Sequence, residues 1–258
     1  DIIAIKGYKP EKITRQDMVG FYNTLCVPGN MVVAVFGDIT FEKALQSVKD
    51  EFIQLYPKDL ASLSLPEVFP QKPLEILIPT IKEQAVIALG FAGLRVTDSK
   101  RYPLEVLNAI LSPMSGRLFL KVREEIGAAY TVGGASVPGI ERGMYYLYAA
   151  TTYENIEKVK EILRKEIVAM RTEYVSDSEL EKAKAYLIGE QKLSLETNAS
   201  RAFTCGLDEL YGLGFDNYAR YQNRISQVTK EDVMAVAKSY LNLDAAVTIV
   251  TVPQIKTP

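Results

Sequence analysis

The sequence predicts an α+β fold: a two-layer α/β sandwich with helices on one face of a mainly antiparallel sheet. Three observations carry that expectation. Strand-like segments gather between residues 74 and 151 and again at 244–252, while residues 154–241 read as an almost unbroken helical block. The chain has 258 residues and is 48% hydrophobic, enough for one large domain or for a domain and part of another. A helix-and-strand pattern also occurs twice, once near each end.

The repeat sets the domain organisation. ITRQDMVGFYNTLCVPGNMVVAVFGD, residues 13–38, lies over VTKEDVMAVAKSYLNLDAAVTIVTVP, residues 228–253, without a gap. Thr14 falls on Thr229 and Asp17 on Asp232, an N-cap hydroxyl and a first-turn acid ahead of an amphipathic helix. Val32 and Val35 fall on Val247 and Val250, in β-branched stretches that read as strands. The two copies stand 215 positions apart, so the chain is expected to hold one complete repeat and the closing part of an earlier one. Residues 1–56 are then the C-terminal tail of a truncated first repeat, ending in an amphipathic helix from Phe41 to Leu55. Residues 57–73, with four prolines and little periodicity, are a linker. Residues 74–258 are the complete second repeat.

Within that repeat LEILIPT and QAVIALGFAG predict two strands, and a helix follows over residues 103–111. SGRLFLKVREEI predicts the next helix, with Ser115 as its N-cap. AYTVGGASV and GMYYLYAAT alternate as strands joined through PGIERG. The helical block has cap candidates at Ser176, Asn198 and Thr229, and DAAVTIVTV supplies the last strand.

Composition removes several function classes. Thirty Lys and Arg against thirty-two Asp and Glu give a net charge of -2, so no field favours nucleic acid or an anionic membrane. The tyrosines of MYYLYAATTY lack a basic surround and read as core and interface. Apolar runs such as MVVAVF and AVIALGFAGL are too short to span a bilayer. Cys26 and Cys205, outside any CxxC pattern, are expected to be free buried thiols. No signal-peptide pattern opens the sequence, so such a segment is expected to be absent or already removed. The compartment stays open, a soluble cytoplasmic or periplasmic protein being the expectation for a bacterial source. There is no histidine, which excludes Ser-His-Asp and Cys-His catalysis, and no GxGxxG, phosphate-binding loop or GxSxG is present.

The stretch VREEIGAAYTVGG, residues 122–134, holds the candidate chemistry. On a helical wheel Leu118, Phe119, Val122 and Ile126 span an arc of about 100 degrees, and Arg123 lies roughly 40 degrees beyond its edge. Gly127 is placed to end the helix, after which Ala128 and Ala129 turn the chain and Tyr130 enters a strand. A guanidinium and a phenol are thus expected to converge from two elements. Gly133 and Gly134 permit either a bulge or a close approach by another backbone. Glu124, Glu125 and Glu190 read as solvated helix faces.

SGRLFLKVREEIGAAYTV resembles the C-terminal-domain signature of the pitrilysin/insulinase family of zinc metallopeptidases, to which the mitochondrial processing peptidase belongs. The resemblance extends through NMVVAVFGDIT, YPLEVLNAIL and the final TKEDV helix and strand, and so covers nearly the whole chain. It implies that two similar α+β domains form each half of a clamshell. It further implies that Arg123 holds a peptide substrate, while Tyr130 hydrogen-bonds the polarised carbonyl or the oxyanion formed when zinc-bound water attacks. Their chemistry suits those roles: Arg is permanently charged with five donors, and a phenol donates without adding a full charge.

The same family requires HxxEH for its zinc, and this chain has none. The chain is therefore expected to bind no metal and to be inactive alone. Zinc is expected in an N-terminal half or a zinc-bearing partner subunit, with a peptide as substrate and a homo- or heterodimer as one possible assembly. The competing expectation is a non-catalytic structural or interaction subunit, like the core subunits of respiratory complexes that keep this fold without proteolysis. If the motif were a chance match in an unrelated domain, residues 13–38 and 228–253 would not share one helix-strand geometry.

Overall fold

The computed structural model describes residues 12–55, 70–127 and 131–253. The chain divides into two compact units, Asp1–Ser64 with Asn198–Phe215, and Leu65–Thr197 with Asp216–Pro258.

The second unit contains a five-stranded sheet. Its strands are β1 (Leu74–Thr80), β2 (Ala85–Ala92), β3 (Thr131–Val137), β4 (Met144–Thr151) and β5 (Val247–Pro253), in the spatial order β1-β5-β2-β4-β3. β1 pairs parallel with β5, from Leu74↔Val247 to Thr80↔Pro253. The other three pairings are antiparallel. The mainly antiparallel α+β arrangement expected from the sequence is therefore present, with the last strand inserted between the first two.

Period-two alternation decides which face is buried. Ile87, Leu89 and Phe91 of β2 and Tyr145, Leu147 and Ala149 of β4 all point to one side and are buried. Helices α3 (Arg101–Leu111), α5 (Ile156–Thr172) and α9 (Lys230–Tyr240) cover that side. Leu104, Leu107 and Leu111 from α3, Val159, Leu163 and Ile167 from α5, and Val233 and Val236 from α9 join the same cluster. Helices α4 (Arg117–Ile126), α6 (Asp177–Ser194) and α8 (Asn217–Ser226) extend the layer. Burying a Leu or Ile side chain contributes roughly 1.5–3 kcal/mol, so this one-sided alternation is the main driving force for the unit.

The first unit holds α1 (Arg15–Leu25), α2 (Phe41–Phe52) and α7 (Asn198–Leu210). α1 and α9 match position by position. Thr14 and Thr229 each form a capping box with Asp17 and Asp232. Cys26 and Leu241 then close the helices onto Tyr22 and Ala237, at 2.8 and 3.0 Å. A single 3₁₀ turn follows in both, Pro28–Asn30 and Leu243–Ala245. The cap, helix and 3₁₀ turn are thus alike in the two segments.

Several details differ from expectation. The stretch Met31–Phe36, expected as a strand, has no strand beside it among the described residues and so forms no ladder. Cys26 is exposed, since it stands at the bare C-terminal end of α1, whereas Cys205 is buried and free as expected. α2 ends at Phe52 rather than at Leu55. The N-cap of α4 is Gly116 and not Ser115: Gly116 is the extended residue whose carbonyl accepts the first helical bond, from Leu120 N–H at 3.2 Å. Ser176 and Thr229 cap as expected, and Asn198 is the first residue of α7.

Gly133 and Gly134 form no bulge, because the β3–β4 register runs unbroken from Thr131↔Ala150 to Val137↔Met144. Close approach is their role instead. A Cβ on Gly134 would lie 2.7 Å from Asn108 Oδ1, Ser112 Oγ and Leu147 Cδ2, so α3 sits directly on the backbone of β3. Gly134→Ala should therefore cost about 1–3 kcal/mol of stability through overpacking, read by denaturant unfolding. Gly20→Ala, at a position in α1 with nothing within 4 Å, should instead be neutral or stabilising by up to about 1 kcal/mol.

Candidate functional site

The candidate site is built on α4 and on the start of β3. Leu118 and Val122 are fully buried, with Phe119 packed at the margin of the core, and this stripe turns Arg123 outward. Among the described residues Arg123 forms no ion pair, and its guanidinium carbon lies 5.9 Å from the centroid of the Phe119 ring. The helix ends where the sequence places its stop. Gly127 adopts φ 70° and ψ -11°, and its N–H donates to the carbonyl of Arg123 at 3.0 Å. Tyr130 lies outside the described residues, as do Ala128 and Ala129. β3 begins at the next residue, Thr131, as an edge strand of the sheet.

Two ion pairs fix α4 against its neighbours, and both escaped the sequence reading. The Arg117 guanidinium holds Glu179 of α6 with a pair of bonds, Nε to Oε1 at 2.5 Å and Nη2 to Oε2 at 2.9 Å. One turn further along, Lys121 pairs with Glu166 of α5. The Glu166 side chain is almost completely buried, and its Oε2 has no hydrogen-bond partner among the described residues. One signal was available for each. Glu179 is the fourth residue of the S-x-x-E capping box that opens α6. Glu166 sits at helical spacing within the apolar set Ile162, Leu163, Ile167 and Met170, where an acid needs a partner.

β3 is held in a comparable way. The buried Tyr145 hydroxyl donates to Asn108 Oδ1 at 3.3 Å, and Ser112 Oγ donates to the same oxygen at 2.8 Å, beneath Gly134. Complete burial pushes the Tyr145 phenol upward, so it stays a neutral donor. The strand entered after residue 130 is consequently fixed by both α3 and β4.

Among the described residues the side-chain donors do not fit a catalytic zinc. Histidine is absent, and among the described residues no three Cys, Asp or Glu side chains come together. No described helix is long and apolar enough to cross a membrane.

Sequence comparison gives the family: this chain is a member of the group described as the peptidase M16 inactive domain, matched over residues 12–187. A Bacillus subtilis protein described as the uncharacterized zinc protease YmxG is 29% identical over 239 residues, covering 92% of this chain and 56% of the relative. An uncharacterized zinc protease of Streptomyces coelicolor is 30% identical over 237 residues, covering 89% of this chain and 52% of the relative. The chain thus spans about half the length of these curated relatives. Among solved structures, a protease from Helicobacter pylori superposes with a TM-score of 0.81 at 17% identity, over 94% of this chain and 60% of that one. An M16 inactive domain from Pseudomonas fluorescens gives 0.78 at 22% identity, over 95% of this chain and 59% of that one. A chain of complex III2 from Candida albicans gives 0.75 at 16%, over 93% of this chain and 59% of that one.

The Arg117–Glu179 pair has a definite pH signature. Hydrogen bonding to Arg117, aided by the Ser176 N–H and hydroxyl, holds the Glu179 carboxyl at about 2 against an ordinary 4.5. A depressed carboxyl contributes stability that is complete above 4.5 and lost as the pH falls towards 2. Glu179→Gln should cost roughly 1–2 kcal/mol at pH 7, a value discounted for the solvent access of this pair. The gap from wild type in denaturant titrations should narrow progressively below pH 4.5.

Proposed function

We propose that this chain is the metal-free C-terminal portion of a zinc metalloendopeptidase, closing a proteolytic chamber against an N-terminal half or partner subunit that carries the zinc. The observation that carries the reading is the placement of Arg123. A family member with no histidine keeps an outward guanidinium, without an ion pair among the described residues, at the end of a helix that two ion pairs and two buried side chains hold in place. Pre-organisation of that kind suits binding, since a fixed cation loses little entropy when it meets a peptide carbonyl or carboxylate.

In this proposal Arg123 holds the substrate and the Tyr130 hydroxyl donates to the oxygen on which negative charge develops. The substrate lies extended, added as a strand at a sheet edge. β3 is such an edge, and it starts one residue after Tyr130. The metal, where bound, supplies the activated water, and this chain contributes none of its ligands.

The test is reconstitution with the zinc-bearing half or partner and a quenched peptide substrate. Arg123→Ala and Tyr130→Phe should each lower turnover by about one to three powers of ten, the scale of losing one transition-state donor. Full turnover in both variants would sink the assignment, and an assembly that holds peptide without hydrolysing it would mark the chain as an interaction subunit.

A further inference from the structure

The two faces of the sheet are finished differently. Tyr145, Leu147 and Ala149 of β4 turn towards the helices, so Tyr146, Tyr148 and Ala150 stand on the other, open face. There each tyrosine lies between two small residues: Tyr146 pairs with Gly90 of β2 and Ala135 of β3, and Tyr148 pairs with Ala88 and Gly133. The two rings are 6.1 Å apart and tilted by 43°, and both tyrosines are half-buried.

Gly133 gives Tyr148 its reach. Paired residues on one face of a sheet meet side chain to side chain, but Gly133 leaves that space open and the phenol lies down in it. A Cβ on Gly133 would stand 3.0 Å from the Tyr148 hydroxyl oxygen and 3.1 Å from its Cζ, so the tip of the ring rests over the edge strand itself. Gly133 is buried beneath it, although β3 is an edge. Among the described residues the Tyr148 hydroxyl has no hydrogen-bond partner, unlike the Tyr145 hydroxyl, which donates to Asn108.

We propose that Tyr148 is a specificity-determining residue for the peptide, selecting an aromatic side chain on the open face of the sheet. The inference rests on the reading above, in which the substrate adds as a strand along β3. Side chains of an added strand alternate between the two faces. Thr131, Gly133 and Ala135 share the open face with Tyr146 and Tyr148, so every second substrate side chain falls beside them. The one opposite Gly133 finds no cross-strand side chain there and meets the tip of the Tyr148 ring instead. None of these five residues carries a charge, so a charged side chain would lose water without gaining a partner. An aromatic side chain extends the ring pair that Tyr146 and Tyr148 already form.

The test uses the assembly with the zinc-bearing half or partner, and pairs of quenched peptides that differ only in carrying Phe or Ala at one position, scanned along the peptide. At the position that meets Tyr148 the wild type should prefer Phe by about three- to tenfold in kcat/KM, expressed mainly in KM. Tyr148→Phe keeps the ring and should keep the preference, whereas Tyr148→Leu should bring the ratio to about one. If the ring served only to cover an edge glycine, Tyr148→Leu would lower the unfolding midpoint and leave the preference intact. A preference that survives in Tyr148→Leu therefore overturns the inference, as does a wild type that prefers Phe at no position. Arg123→Ala should slow both peptides alike; if it slows neither while Tyr148→Leu abolishes the preference, the role given to Arg123 falls and this one stands. An assembly that binds peptide without cleaving it yields the same ratio from dissociation constants by fluorescence anisotropy, and one that binds neither peptide overturns both readings.

Discussion

The architecture of the larger unit depends on β5 lying between β1 and β2. β3 pairs with its sequence neighbour β4, but β5 must meet both β1 and β2 across most of the unit, Leu74 with Val247 and Ile87 with Val250. Closing that span costs chain entropy before any ladder bond forms, so the pairing has to be supported by burial. It is: Val250 and Thr248 face the helix layer, and α9, immediately before β5, packs on both α3 and α5. Through α3 the same pairing reaches the candidate site, since Asn108 and Ser112 rest on β3 at Gly134.

The charged contacts on α4 have a different character from this apolar framework. Glu166 is buried with one oxygen unpartnered among the described residues, and the desolvation of such a group offsets much of what Lys121 returns. An apolar residue in its place would stabilise the helix layer at least as well. What the pair contributes is register, because Lys121 meets Glu166 at only one axial position and one rotation of α4. The two-point grip of Arg117 on Glu179 adds a second fixed point four residues earlier. Arg123, two residues past Lys121, inherits that rigidity.

How much could be read from the sequence depended on whether the signal was local. Cap hydroxyls, first-turn acids and the glycine stop at Gly127 act within one turn of helix, so Thr14, Ser176, Thr229 and Gly127 all stand where their residue types suggested. Period-two alternation likewise marked the buried faces of β2 and β4. Ser115 misled because cap preference ranks residue types, while the actual cap is whichever residue takes the extended conformation, here Gly116. The partners of Arg117 and Lys121 lie 62 and 45 residues away, and no local pattern on α4 names them. The position of Arg123 at the margin of the buried stripe was legible, because it follows from helix phase alone.

The two matching segments separate these two kinds of information within a single molecule. Given nearly the same local code, residues 14–30 and 229–245 adopt the same capping box, helix and 3₁₀ turn, although one copy is buried and the other bare. Helix hydrogen bonds close within the segment, so they form without a neighbour. Residues 32–38 hold three β-branched side chains and residues 247–253 hold six, and only the second stretch is a strand. A ladder needs another backbone, and side-chain propensity alone does not supply one. Val33 and Val35 thus keep the residue type that burial demands, at a place where nothing among the described residues buries them.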